Sequence, residues 1–322
     1  MNRGAKVAAI PTGAFQILRT AAKRRATTAA SYVERVNRAI ERIVGRLGEP
    51  LRLQELARAA SLSPFHFHRV FQCLTGETPA AFVKRLRLER ALGRIAHSPR
   101  ASLTQVALAC GFGSSSDFTR CFKQRFGVPP SAFDLAKWRR EHAAALEAGV
   151  RASPFVTKLP PRSNPDRFRV TIRELPPRTV AYIRVARPYE GDAVMKAIAR
   201  LVAWAERNGC ADGAWLGYQW ENPEITALEE CAYYAAVEAD RFEPRGEIGR
   251  HSFPAMLVAE VEIRGGIDLE LRALQWFYGV WLPRSRYVPA DQPAFEAWIG
   301  RPFAHGLEHL ELNAQVPVRR AD

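Results

Sequence analysis

The sequence predicts a multidomain fold. An all-α front half holds two helix-turn-helix motifs, and an α+β back half is made of duplicated β-α-β-β units. Three observations carry this. First, one helical design is written twice between Leu51 and Phe133, as LQELARAASLSPFHFHRVFQCLTGETPAAF and as LTQVALACGFGSSSDFTRCFKQRFGVPPSAF. Second, residues 150–167 (VRASPFVTKLPPRSNPDR) combine four prolines with Ser, Asn and charges, the composition of a linker. Third, beyond that stretch the pattern turns to short β-rich runs separated by helical ones. A length of 322 residues allows two domains, each with its own core.

Taken in order, residues 1–30 are basic and broken by Pro11 and Gly13, which reads as a flexible arm. The double helix-turn-helix domain is expected over 31–149. Helical periodicity starts at Ser31, an N-cap candidate, and runs through Val36, Ile40 and Ile43 to Leu47, ahead of Gly48 and Pro50. Within the double motif, Phe67, Arg69, Phe71, Gly76, Pro79 and Phe82 recur fifty-one positions on as Phe118, Arg120, Phe122, Gly127, Pro130 and Phe133. The leading helices are offset by fifty (Leu53 with Leu103, Ala57 with Ala107), so the second turn carries one extra residue. Between the copies, Phe82, Val83, Leu86, Leu88, Ala91, Leu92 and Ile95 fit one continuous helix stopped near Pro99. A last helix follows Phe133 and fades at Gly149. In the back half, 168–322, Arg169–Val185 reads as two strands around a Pro-Pro turn and Glu190–Asn208 as a helix. Trp215–Trp220 and Cys231–Glu238 read as strands. The pattern then repeats with a strand at His251–Ile263, a helix at Asp268–Leu282, and strands at Phe295–Ile299 and Leu307–Val318.

Charge separates the halves. The net +14 divides into +6 over residues 1–30, +11 over 31–140 and −3 over 141–322. The positive excess therefore sits on the double-motif half, which suits a polyanion partner whose condensed counterions are released on binding. Five cysteines without a CxxC pair suit a reducing compartment, and no apolar run reaches membrane-spanning length; the expectation is a cytoplasmic protein without a membrane partner. No Ser-His-Asp set or metal cluster is evident, so no catalytic residue, metal or cofactor is expected. HGLEH (His305, His309) is not a zinc-protease pattern, and His66, His68 and Cys73 lack a fourth ligand.

In a helix-turn-helix the second helix enters the major groove. Small Ala57 and Ala107 allow the two helices to cross closely. Ser61-Leu62-Ser63 and Gly111-Phe112-Gly113-Ser114 make the turns, with Leu62 and Phe112 plugging the core. Phe67 with Phe71 and Phe118 with Phe122 lie four apart and face inward. The opposite faces present Phe65, His68 and Arg69, and Ser115, Ser116, Thr119 and Arg120, as the candidate DNA-binding residues. Arg pairs bidentately with guanine, while Ser and Thr bond bases or phosphates. An all-helical repeat would explain the inward rings, but not turn chemistry, duplication and charge together.

From Tyr32 to Trp138 the chain closely resembles the AraC/XylS-type DNA-binding domain, down to ACGFGSSSDFTRCFKQRFGVPPSAF. The resemblance implies a transcriptional regulator that binds double-stranded DNA with seven helices, often near a promoter and with RNA polymerase as a partner. Gly113-Ser114-Ser115-Ser116 departs from it, with small residues where many members carry larger polar ones.

The back half resembles the GyrI-like effector-binding domain through LPPRTVAYIRVARPYEG, LGYQWENP, WLPRSRY, DQPAFEAWIGRPF and the closing QVPV. That family places a carboxylate in an aromatic-lined cleft between two halves, and Glu296 in FEAW matches it. A buried acid among rings suits an organic cation. Tyr189, Tyr218, Trp220, Trp276, Tyr278, Trp281, Tyr287 and Trp298 are the candidate lining residues. The function expected is a DNA-binding regulator that senses a small cationic or aromatic effector. A Glu296-dependent hydrolase or a protein-interaction module are the alternatives for the back half.

Overall fold

The computed structural model describes residues 12–97, 101–135, 137–138, 141, 163–223, 225–306 and 308–321. Six helices come first: α1 (Thr12–Gly45), α2 (Leu53–Ala59), α3 (Pro64–Thr75), α4 (Pro79–His97), α5 (Leu103–Ala109) and α6 (Ser115–Phe126). Helix α1 begins well before Ser31, so residues 12–30 are helical where a loose arm was expected. Nothing between Ala14 and Val44 breaks a helix, and Ala, Arg and Lys favour one. Ser31 lies inside this helix, its Oγ accepting from Arg35 Nε at 3.3 Å. Residues 1–11 of the expected arm, most of the helix expected after Asp134, and 150–162 of the expected linker lie outside the described residues.

The two motifs close in the same way. Ser63 caps α3 by accepting from the His66 amide at 3.3 Å, and Ser114 caps α6 from the Asp117 amide at 3.1 Å. Gly76 (φ 83°) and Gly127 (φ 77°) end these helices in the left-handed region, where glycine has no Cβ to clash. The first turn puts Ser61 at φ 52°. In the second, Gly111 takes φ 87° with Leu47 O only 2.6 Å from where a Cβ would stand. Each motif has its own core: Phe67, Phe71 and Phe82 with α1 in the first, Phe112, Phe118, Phe122 and Phe126 in the second. Helix α4 contributes to both, Phe82, Val83 and Leu86 to the first, and Leu88, Ala91 and Leu92 to the second. It is the rigid connector between them.

The back half is one antiparallel sheet. Its strands are β1 (Thr171–Leu175), β2 (Arg178–Ala186), β3 (Trp215–Gln219), β4 (Ala232–Glu238), β5 (Ile248–Phe253), β6 (Met256–Gly265), β7 (Tyr287–Pro289), β8 (Ala294–Trp298) and β9 (Leu310–Arg320). Helix α7 (Ala193–Arg207) crosses between β2 and β3, and α8 (Ile267–Trp276) follows β6. The strand expected over His251–Ile263 is broken at Pro254, which cannot donate to a ladder: β5 pairs with β2, and β6 with β1 and β9. The helix expected over Asp268–Leu282 widens after Trp276 into a π-turn, Phe277–Trp281.

The order β1-β6-β9-β8-β3-β4-β2-β5 is symmetric about its middle. On one side run β3, β4, β2 and β5; on the other β8, β9, β6 and β1. Each half is a β-α-β-β unit plus one flanking strand, the second half also carrying the short β7 beside β9, and the halves join where β3 meets β8. One sheet face, with α7 and α8, holds the larger core, including Leu201, Trp215, Tyr233, Trp276, Trp298 and Leu312. The other face holds Tyr182, Leu216, Tyr218, Tyr234, Phe253 and Phe295.

Candidate DNA-reading face and candidate effector site

On α3, Phe65 is 73% exposed and the Arg69 guanidinium lies 5.7 Å from its ring centre. Arg69 is exposed and His68 half-buried. His66 is held to α1 by a 3.0 Å contact between its Nε2 and Tyr32 Oη. On α6, Ser116 and Arg120 are exposed, Ser115 and Thr119 half-buried, and all four line one shallow groove with Lys123. In the free protein Arg120 donates to Asp117 at 2.7 Å, which pre-orients the guanidinium at the cost of a partner it must share. Gln72 and Lys123, not among the expected residues, extend the two exposed stripes by one turn. Helix α4 spans 19 residues, a rod of about 28 Å at 1.5 Å per residue.

Glu296 stands at the seam between the two halves. Its β8 position pairs with Gly217 of β3 and Ala314 of β9, and its side chain turns to the helix-covered face. Tyr233 Oη donates to Glu296 Oε2 at 2.6 Å. Gly217 makes that bond possible, since a Cβ there would stand 1.8 Å from Tyr233 Oη and 2.6 Å from Glu296 Oε2. A glycine inside a strand often marks such a close approach. Two residues along β3, Gln219 Oε1 accepts from Tyr189 Oη at 3.2 Å. A second acid, Glu270 on the buried face of α8, shares the site. Burial and the nearby Glu296 charge hold Glu270 well above the usual carboxylate range, and burial also raises Glu296, against the Tyr233 hydrogen bond that lowers it. The two acids thus resist being ionised together, and the Tyr233 hydrogen bond favours the charge on the Glu296 side.

The rings expected around Glu296 divide into three groups. Tyr189, Trp276 and Trp298 belong to the helix-covered face. Tyr218 and Trp220 lie on the opposite face. Strand alternation puts Gly217 and Gln219 on one side and Tyr218 on the other, where it stacks on Tyr234 with ring centres 4.8 Å apart. Trp281 and Tyr287 stack on each other (6.1 Å) beside β7, at the margin of the helix-side core, where Trp281 also stacks on Phe277 (4.9 Å). Tyr287 pairs with Arg320, six residues along β9 from Ala314, roughly 20 Å by strand rise. Tyr278 packs at the margin of the helix-side core. Tyr233, Gly217, Gln219 and Glu270 were not anticipated. Two signals were available: a glycine within a strand, and an acid in the inward stripe Glu270, Ala273, Trp276.

The opposite face docks on the helical half. Trp220 packs on the first motif's core and Ile225 on the second's. Between them Arg85 of α4, 4% exposed, meets Glu77, Glu89 (3.3 Å) and Glu221 (3.4 Å). Glu89 also accepts from the Asn222 amide and from Thr226 Oγ1. Arg125 of α6 pairs with Glu230. A second contact lies along α1, where Glu41 meets His251 Nδ1 and Glu34 accepts from the Gly246 amide at 3.2 Å, beside a cavity of about 440 Å³. Among the described residues no group of three His, Cys, Asp or Glu side chains is placed to hold a metal, and no helix is long and apolar enough to cross a membrane.

Residues 56–136 match the family model of a helix-turn-helix domain, and 168–319 that of a GyrI-like small molecule binding domain. The HTH-type transcriptional regulator Rv1931c of Mycobacterium tuberculosis is 37% identical over 92 residues, 29% of this chain and 35% of that protein. The chain spans about a third of the length of the curated relatives it matches. Among solved structures, the DNA-binding domain of AdpA in complex with a target DNA is 26% identical (TM-score 0.29), covering 38% of this chain and 97% of its own. The EcmrR C-terminal domain is 14% identical (TM-score 0.39), covering 48% and 99%. The front half therefore belongs to the AraC-type helix-turn-helix family and the back half to the GyrI-like small molecule binding family.

Proposed function

We propose that the protein is a sequence-specific DNA-binding transcriptional regulator whose GyrI-like half senses a small organic cation at Glu296. The observation that carries the first part is the pair of exposed reading helices, α3 and α6, fixed to one rod within the basic half. Arg69 and Arg120 supply base contacts, with Phe65, His68, Ser115, Ser116 and Thr119 around them. The second part is supported by an acid charged alone among Tyr189, Tyr233, Trp276 and Trp298, where cation-π attraction adds to charge pairing. Glu296 pairs with the cation, and Glu270 keeps its proton. The reading places the protein in the cytoplasm, with RNA polymerase as a second macromolecular partner, and treats the GyrI-like half as a non-catalytic sensor.

Selection of duplexes from a random pool by the full chain, with and without tetraphenylphosphonium and related lipophilic cations, tests it. Enrichment of one sequence, with a cation-dependent change in affinity, is expected. Binding to all duplexes alike refutes the regulator reading. Turnover of the added compound refutes the sensor in favour of a hydrolase.

A further inference from the structure

Strand β3 reaches from the effector site into the DNA-binding half without a break. Its residues Gly217 and Gln219 lie on the Glu296 face. The next two residues, Trp220 and Glu221, are already on the other domain: Trp220 on the first motif's core, Glu221 (4% exposed) on Arg85 of α4. Glu221 also accepts from the Ala232 amide at 3.4 Å, which pins it to the start of β4. The chain then runs through Asn222 and Thr226, both donating to Glu89 of α4, and through Ile225, packed on the second motif's core. It ends at Glu230, paired with Arg125 near the end of reading helix α6.

We propose that Trp220–Glu230 is the coupling element of the regulator. An effector seated between Glu296 and Gln219 displaces the end of β3. The segment carries that displacement to α4 and α6 and resets the two reading helices relative to each other. This rests on the effector site being at Glu296 and goes beyond it by naming the route. Three features support that route over the contact along α1. The segment touches the cores of both motifs, so moving it changes their relative set and not merely the position of one. Its contact with α4 is buried, Arg85 and Glu221 both being 4% exposed, so that link is shielded from the screening that weakens exposed pairs. The α1 contact, by contrast, borders a cavity that can absorb movement. The ligand must favour one of two arrangements for any of this to regulate, and its coupling is then the ratio of its affinities for them.

The test uses the full chain and two perturbations. In the first, duplex affinity is measured at fixed salt with and without tetraphenylphosphonium, in wild type and in the double variant Glu221→Gln, Glu230→Gln. These substitutions remove both charge links and leave the effector site alone. Wild type is expected to change affinity by about 5-fold or more. The double variant should bind the cation within about 3-fold of wild type while its coupling falls towards one. Undiminished coupling in the double variant overturns the proposal. The second perturbation needs no ligand. Gly217→Ala forces Tyr233 and Glu296 apart, and Tyr233→Phe, a milder change, removes their hydrogen bond. Either should alter amide exchange in residues 220–230 and in α4, and the Glu221→Gln, Glu230→Gln background should abolish the effect in α4. Exchange changes confined to the sheet overturn the route. If no cation binds wild type, the sensor reading fails, and the exchange arm still decides the route.

Discussion

The buried cluster on α4 makes domain docking pH-dependent in a direction opposite to ordinary acid denaturation. Arg85 faces three carboxylates, Glu77 ahead of its own helix, Glu89 one turn along it and Glu221 from the sheet domain. Arg125 of α6 and the Cys231 thiol also face the cluster, along with the neutral donors Thr226 and the Asn222 amide. Glu77 is partly exposed and takes the closest bond of Arg85, so the two buried acids Glu89 and Glu221 share what remains of that cation, and the cluster retains a proton. Burial pushes Glu89 from its ordinary 4.5 up to about 7, with the Glu221 charge adding to it and Arg85 opposing. Between those values the folded chain holds a proton that the unfolded chain has released, and stability therefore falls as pH rises. At about 1.4 kcal/mol for each pH unit, the full effect is about 3 kcal/mol, spread over the coupled set and not owned by Glu89 alone. The assay is urea unfolding of the full chain at intervals from pH 5 to 8, beside Glu89→Gln, whose amide mimics the protonated acid and does not titrate. Wild type should lose about 2–3 kcal/mol relative to the variant across this range, with most of the loss complete just above pH 7. Parallel pH profiles for the two proteins refute the assignment of the retained proton to this cluster.

Other outcomes follow from single positions. Arg69→Ala and Arg120→Ala should each weaken binding to the selected duplex by about 1–3 kcal/mol in a salt-controlled titration, with much smaller losses on random duplex. Equal losses on both would assign these side chains to phosphates. Glu296→Gln should abolish the melting-temperature shift that lipophilic cations give wild type. The wild-type shift itself should grow with pH over a range displaced above the usual carboxylate values, because the ionised acid is the binding form. Gly111→Ala should destabilise the second motif by about 1–3 kcal/mol on thermal unfolding, since its Cβ meets Leu47 O and its φ of 87° strains any side chain.

The helical half was largely legible because its signals are local. Ser63 and Ser114 cap, Gly76 and Gly127 stop, and Phe pairs four apart mark the inward faces; each acts within a turn or two of its own position. Where the reading erred there, at Ser31, a good capping residue was outweighed by helix-favouring residues on both sides. The sheet was legible as strands but not as pairings. His251–Ile263 looked like one run because its alternation survives Pro254, although the missing amide divides it between the two halves. The structure puts Glu296 at the seam of the two halves and divides the rings expected around it between the two faces of the sheet. Aromatic content does not reveal which face a strand residue takes unless the register is known, and Tyr218 differs from Gly217 by one position only. Glu270 was missed because a helical acid is ordinarily solvated, and only its spacing with Ala273 and Trp276 marks it as inward.

The same alternation explains why one sheet can serve two tasks. At the seam, β3 must bring its backbone close beneath a ligand-facing acid, which Gly217 permits, while the neighbouring residues Leu216 and Tyr218 build the layer that meets the helical half. A ligand face and a docking face are therefore separated by the thickness of one strand and the close-packed aromatic layer on it. Close-packed interiors transmit strain because they hold few voids to absorb it. A displacement of the Glu296 face should thus reach Arg85 with little loss. Inserting one residue after Gln219 tests this directly. It would leave the β3–β8 register and the effector site intact but send Trp220 and Glu221 to each other's sides. Cation binding should survive in that variant, while docking, read as the pH-dependent part of stability, should disappear.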